Sequence, residues 1–123
     1  MNRKTILITD DSTALRTMLV SIIESLGDFR IVEAANGFEA LRLLPREQVD
    51  LIFTDINMPD INGLELISYL RNNPNYRHIP VVILSTEGSQ SDIEKGRSLG
   101  ANEYIVKPFN SADLKNIIHK YLD

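Results

Sequence analysis

The sequence predicts an α/β domain: a parallel sheet of five strands with helices on both faces. Short apolar, β-branched runs alternate five times with segments of helical period, joined by short connections. The inner runs, Leu51 to Thr54 and Ile79 to Leu84, are almost continuously apolar, as in strands covered on both sides. A length of 123 residues with 43% hydrophobic content suits one domain with one buried sheet.

Taken in order, Thr5 to Thr9 is the first strand. Asp10, Asp11 and Ser12 end it and supply helix-capping side chains. Leu15, Met18, Leu19, Ile22, Ile23 and Leu26 recur at helical spacing, and Gly27 stops that helix. Phe29 to Ala34 is the second strand, and Arg30 and Glu33 within it suggest an edge. Asn36-Gly37 reads as a turn, followed by a short helix from Phe38 to Leu44 closed before Pro45. Leu51 to Thr54 is the third strand. Leu64, Ile67 and Leu70 mark the third helix, which ends near Asn72-Asn-Pro-Asn75. Ile79 to Leu84 is the fourth strand. Ser89 to Leu99 is a polar helix with Gly96 in its interior, at a cost of roughly 1 kcal/mol against alanine. Tyr104 to Val106 is the fifth strand, and Leu114, Ile117, Ile118 and Tyr121 line the last helix.

Composition narrows the function. A net charge of −4 argues against a nucleic-acid binder, which would show a basic face. With no cysteine there is no disulfide framework, thiol chemistry or cysteine-based zinc site. The apolar run at the start is too short for a signal-peptide core and ends in acids, and no stretch is long enough to span a bilayer. The expectation is a cytoplasmic protein with no membrane insertion.

The polar residues sit at strand ends. Asp10-Asp11 follows the first strand, Asp55 the third, Ser85-Thr86 the fourth and Lys107-Pro108 the fifth. In a parallel sheet these ends share one edge, where open α/β sheets place their chemistry. Carboxylates brought together there repel, and a divalent cation relieves the repulsion. All-oxygen ligands with room for water and phosphate suit Mg²⁺, or Mn²⁺. Asp11 and Asp55 are candidate direct ligands, Asp10 a direct or water-mediated one, and the Asn57 backbone carbonyl a further one. Lys107 and Ser85 suit the oxygens of a phosphoryl group. Asp55 is the candidate nucleophile that would become an aspartyl phosphate.

Singly, each residue has an ordinary structural role. Asp55 reads as a turn residue, Asp10-Asp11-Ser12 as a helix start, Ser85 as a cap and Lys107 as a solvated cation. Tyr104 reads as a half-buried strand aromatic and Met58 as a core residue. A cis Lys107–Pro108 bond would aim the lysine. His78 and His119 show no partner pattern and read as surface residues. The conjunction of the strand ends favours the functional reading.

On these residues the chain resembles the receiver domains of two-component response regulators, in particular the single-domain CheY-like chemotaxis regulators. The motifs that carry the likeness are Asp10-Asp11-Ser12, Asp55-Ile-Asn-Met-Pro-Asp-Ile-Asn-Gly63, Ser85 and Lys107-Pro108-Phe109. The resemblance spans essentially the whole chain and implies a doubly wound (βα)5, flavodoxin-like or CheY-like fold with strand order 2-1-3-4-5. It implies that Asp55 is phosphorylated by a sensor histidine kinase. Asp10 and Asp11 would bind Mg²⁺ with the Asn57 main chain, and Lys107 would contact the phosphoryl group. Ser85 and Tyr104 match the switch pair, and the face of the fourth helix, fifth strand and fifth helix matches the output surface. Asn57 and Glu87 match the rate-tuning positions. Thr86 departs from the small residue usual there and bears on access to the site or on Tyr104. Gly96 departs from a position more often alanine.

The resulting expectation is a monomeric, single-domain regulator over residues 1–123. It catalyses only its own phosphorylation and dephosphorylation, and it controls a partner, such as the flagellar motor switch, in chemotaxis. Other readings stay open: a phosphorelay intermediate, a receiver of another pathway, or a domain cut from a longer regulator. A small Mg²⁺-dependent aspartyl-phosphate phosphohydrolase is a further one. It fits less well, since haloacid-dehalogenase-type enzymes carry their nucleophile after the first strand in an Asp-x-Asp pattern, whereas here the acids are adjacent. A flavodoxin-like cofactor binder needs a phosphate loop after the first strand, which Asp10-Asp11 would oppose.

Overall fold

The computed structural model describes residues 3–86 and 90–123. The chain runs β1 (Thr5–Thr9), α1 (Thr13–Leu26), β2 (Arg30–Ala34), α2 (Gly37–Leu43), β3 (Leu51–Asp55), α3 (Gly63–Arg71), β4 (Val81–Ser85), α4 (Gln90–Leu99), β5 (Glu103–Val106) and α5 (Ser111–Leu122), with a 3₁₀ turn over Leu44–Arg46. The five strands form one sheet in the order β2-β1-β3-β4-β5, and every neighbouring pair is parallel. β2 is an edge strand, as its charged residues suggested.

The continuous apolar runs conceal a period of two. In β3, Ile52 joins one core while Leu51 and Phe53 join the other; in β4, Val81 and Ile83 oppose Val82 and Leu84. The first core takes Ala40 from α2, Leu66, Ile67 and Leu70 from α3, and Leu7 from β1. The second takes Leu19 and Ile23 from α1 and Leu114, Ile117 and Ile118 from α5. Because both faces are covered, sequence alternation is erased and only strand length remains as a signal.

Several boundaries differ from the sequence expectation. Asn36-Gly37 is a helix start, not a free turn: the Asn36 side chain accepts the Glu39 N–H at 2.9 Å and caps α2. α2 closes at Leu43, and Pro45 sits inside the 3₁₀ turn, where a missing N–H costs little. Phe29 lies before β2, which starts at Arg30. β4 starts at Val81, after Pro80, which has no N–H to give a ladder. Ser89, the expected start of α4, lies outside the described residues. His119 is exposed but not partnerless: its Nδ1 meets Asp123 Oδ2 one turn on.

Arg71 ties two connections together at the far edge of the sheet, α3 to β4 and α4 to β5. Its guanidinium donates to the carbonyls of Gly100 at 2.9 Å, Ile79 at 2.8 Å and Arg77 at 3.2 Å, and to Asn102 Oδ1 at 2.9 Å. Asn102 Oδ1 also accepts the Val81 N–H at 2.9 Å, so the network fixes the start of β4. Arg71→Ala is expected to cost about 2 kcal/mol in urea unfolding, because part-buried carbonyls lose charged donors. Arg71→Lys should recover less than half, since an ammonium cannot span the fork. A loss under about 0.5 kcal/mol for the alanine variant would mean that water replaces the network.

Candidate functional site

The carboxyl ends of β1, β3, β4 and β5 meet at one edge of the sheet, and each delivers a polar group. Register brings them level: Asp55 lies beside Leu84 and Ser85 beside Val106, while Asp10 and Lys107 each extend one residue past a strand. Ser12 starts α1 by accepting the Leu15 N–H at 3.2 Å, which frees Asp10 and Asp11 from the capping role.

Asp10 is almost wholly buried, at 1% exposure. Its Oδ1 accepts the Ser12 N–H at 2.9 Å, and its Oδ2 lies 3.4 Å from Lys107 Nζ. Asp55 Oδ1 accepts the Ile56 N–H at 2.8 Å, leaving Oδ2 turned to Lys107 Nζ at 3.9 Å. Asp11 is exposed, yet carboxylate oxygens of Asp10, Asp11 and Asp55 lie within 4.8 Å of one another. Burial first, and then the negative charge of Asp10, hold the Asp55 carboxyl above its ordinary pKa, against the pull of Lys107 and the N–H groups of Ile56 and Asn57. The donor set of three carboxylates fits a small, hard divalent cation.

A cavity of about 190 Å³ opens beside Asp55, lined also by Asn57, Ser85, Thr86, Asp92 and Lys107. Ser85 is buried and its Oγ donates to the Ile105 carbonyl at 3.2 Å, so the hydroxyl is held on β5 rather than on Asp55. Tyr104 lies away from this cavity. The residue is 39% exposed, with the Arg97 guanidinium carbon 5.8 Å from its ring centroid. The half-buried role expected for this residue gives way to a stacked, exposed one. Met58 is buried, as its core role required, and the Lys107–Pro108 bond is cis. Glu87 lies outside the described residues.

Two residues of this region escaped the sequence reading. Arg16 on α1 donates to the Asp10 carbonyl at 2.6 Å and pairs with Glu33 on β2 at 3.1 Å, which anchors the acidic loop from behind. Asp92, in the first turn of α4, lines the cavity. Its only sequence signal is an acidic residue early in a helix, which is an ordinary complement to the helix dipole.

This arrangement, an acidic triad facing a lysine across strand ends, defines the class of protein. The profile of the response regulator receiver domain matches residues 6–119, and the chain belongs to that family. Its relatives include a chemotaxis protein CheY homolog of Campylobacter jejuni, 36% identical over 95% of this chain and 91% of the relative. Chemotaxis protein CheY-3 of Vibrio cholerae is 34% identical over 96% and 91%. Among solved structures, Vibrio cholerae CheY4 superposes with a TM-score of 0.89 at 31% identity, covering 98% of this chain and all (100%) of that one. The receiver domain of a Pseudomonas aeruginosa sensor histidine kinase, with a magnesium ion coordinated in its active-site cleft, gives 0.87 at 29% identity over 98% of both chains. The chain is thus a CheY-like receiver. No helix among the described residues is long and apolar enough to cross a membrane.

Proposed function

We propose that residues 1–123 act as one phosphoryl-accepting receiver domain of a two-component pathway, with Asp55 as the acceptor. The observation that carries this reading is the convergence of Asp10, Asp11 and Asp55 on Lys107 at the carboxyl ends of the strands. Asp55 Oδ2 is the attacking oxygen, because Oδ1 is engaged by the Ile56 N–H and orients the group. Lys107 Nζ, within 3.9 Å of that oxygen, meets negative charge on the transferring phosphoryl oxygens. Asp10 holds Lys107 at 3.4 Å and keeps the ammonium over the site. Asp10, Asp11 and Asp55, with the Asn57 carbonyl, would hold Mg²⁺, which supplies charge neutralisation for the transfer. Asn57, Thr86 and Glu87 are the positions proposed to set the rates.

The output follows from two residues. Ser85 Oγ now rests on the Ile105 carbonyl, and a phosphoryl group on Asp55 offers it stronger, charged acceptors. Moving the hydroxyl vacates space beside β5 that the Tyr104 ring can enter, which remodels the α4, β5 and α5 face. A sensor histidine kinase is the proposed donor. A chemotaxis target is the proposed partner, supported by the names of the relatives. The likeness to a receiver domain of a sensor histidine kinase supports a second reading, a phosphorelay intermediate. In either, the chain is a cytoplasmic signalling protein rather than a turnover enzyme.

The test is intact mass after incubation with acetyl phosphate. One added phosphoryl group is expected for the wild type with Mg²⁺, and none without Mg²⁺ or in Asp55→Asn. No added mass in the wild type, or the same mass gain in Asp55→Asn, would overturn the assignment.

A further inference from the structure

At Gly96, α4 lies against the Ile83 side chain of β4. Gly96 is buried, and a Cβ placed on it would stand 2.2 Å from Ile83 Cδ1, so only glycine permits this approach without a shift in the core. Ile93, one turn before it, is also buried, and these two residues fix the helix on the sheet. The register of α4 then brings Asp92, partly buried, to the cavity that holds Asp55 and Lys107. The cavity is small, about 190 Å³, so any group bound there lies beside Asp92. Lys107 is already engaged by Asp10 at 3.4 Å and Asp55 at 3.9 Å, and no ion pair to Asp92 is formed among the described residues. A first-turn aspartate that served only the helix dipole would gain nothing from lining this cavity.

We propose that Asp92 is a charge-selective residue of the acceptor site: it opposes negative charge entering the cavity beside Asp55, and so disfavours dianionic phosphoryl donors relative to monoanionic ones. The inference rests on the phosphoryl-acceptor reading of Asp55. In the transfer, Asp55 Oδ2 forms the new bond to phosphorus. With acetyl phosphate the bond from phosphorus to the acetate oxygen breaks, and acetate leaves with the electron pair. With phosphoramidate the phosphorus–nitrogen bond breaks, and the nitrogen, already protonated, leaves as ammonia. Asp92 exchanges no proton in either step and acts through its field. At neutral pH acetyl phosphate is a dianion and phosphoramidate a monoanion, so the pair reads donor charge at one acceptor.

The experiment measures the rate of mass gain at saturating Mg²⁺ with each donor, for wild type, Asp92→Asn and Asp92→Lys, at low and high salt. Asp92→Asn is expected to raise the acetyl phosphate rate relative to the phosphoramidate rate about three- to tenfold, and Asp92→Lys further. The gain should shrink at high salt, where exposed charges are screened. An unchanged ratio of the two rates, in a wild type that both donors phosphorylate, overturns this proposal alone. A higher Mg²⁺ concentration for half-maximal rate with both donors in the Asp92 variants would make Asp92 a metal-holding group and overturn it as well. A wild type that neither donor phosphorylates overturns the acceptor reading and this proposal with it. A purely structural role would shift the melting temperature and leave the ratio of donor rates unmoved.

Discussion

Gly63→Ala is expected to lower stability by about 3 kcal/mol or more and to suppress Mg²⁺-dependent modification of Asp55. On helix propensity alone, alanine at the first position of α3 should gain up to about 1 kcal/mol over glycine. Geometry reverses the sign. A Cβ on Gly63 would lie 2.1 Å from the Asp55 carbonyl oxygen and 2.8 Å from Ile56 Cα. Both are backbone atoms, so no side-chain rotation relieves the clash. The helix cannot simply withdraw. The Gly63 N–H donates to the Ile56 carbonyl at 2.9 Å. A reciprocal cap between Asn62 and Glu65 fixes the start of α3 at 2.9 and 3.1 Å. Relief must therefore move the end of β3, which carries Asp55. Urea unfolding and the rate of mass gain with acetyl phosphate would both register the change. A variant within about 0.5 kcal/mol of wild type and modified at the same rate would refute this account of the turn.

The same turn shows how far the sequence can be read. Asp55, Gly63, Asp10, Asp11 and Lys107 were legible because the resemblance rests on them and because parallel strand ends must share an edge. The strands themselves were legible from apolar runs, but the face each side chain takes was not, since Ile52 and Phe53 are equally apolar and enter different cores. Asn36-Gly37 misled because helix N-caps and tight turns draw on the same residues. Arg71 was invisible for a different reason. Its acceptors are mainly backbone carbonyls, as far as Gly100, 29 positions away, and a carbonyl leaves no mark in a sequence. Asp92 was hidden by ambiguity: in one dimension an acid early in a helix has a sufficient local explanation. Only the folded position of α4 shows it beside the site. The exposed, Arg97-stacked position of Tyr104 needed coordinates too, because nothing in the spacing of the two residues fixes a rotamer.

Asp55 should also make stability depend on pH in a way that Mg²⁺ suppresses. Its carboxyl is held above the ordinary value, by burial first and by Asp10 second. Between its unfolded pKa and this raised one, the folded state binds more protons than the unfolded state, so stability rises as pH falls through that window. At neutral pH the ionised Asp55 is thus a net cost, and metal-free Asp55→Asn is expected to be more stable than wild type. Added Mg²⁺ reverses the order. A cation held by Asp10, Asp11 and Asp55 binds the folded state alone, and at 100-fold its Kd would stabilise wild type by about 2.7 kcal/mol. That gain requires ionised ligands, so a bound cation keeps Asp55 deprotonated in the folded state and flattens the slope above the unfolded pKa. Wild type minus Asp55→Asn cancels the contribution of carboxylates remote from the site, such as Glu103 with its Lys120 and Tyr121 partners. Urea unfolding as a function of pH should give a difference curve that falls with rising pH when metal-free and is flat at saturating Mg²⁺. Parallel curves would mean that Asp55 does not hold the cation, and an Asp55→Asn variant less stable than metal-free wild type would mean that the acidic cluster is not repulsive.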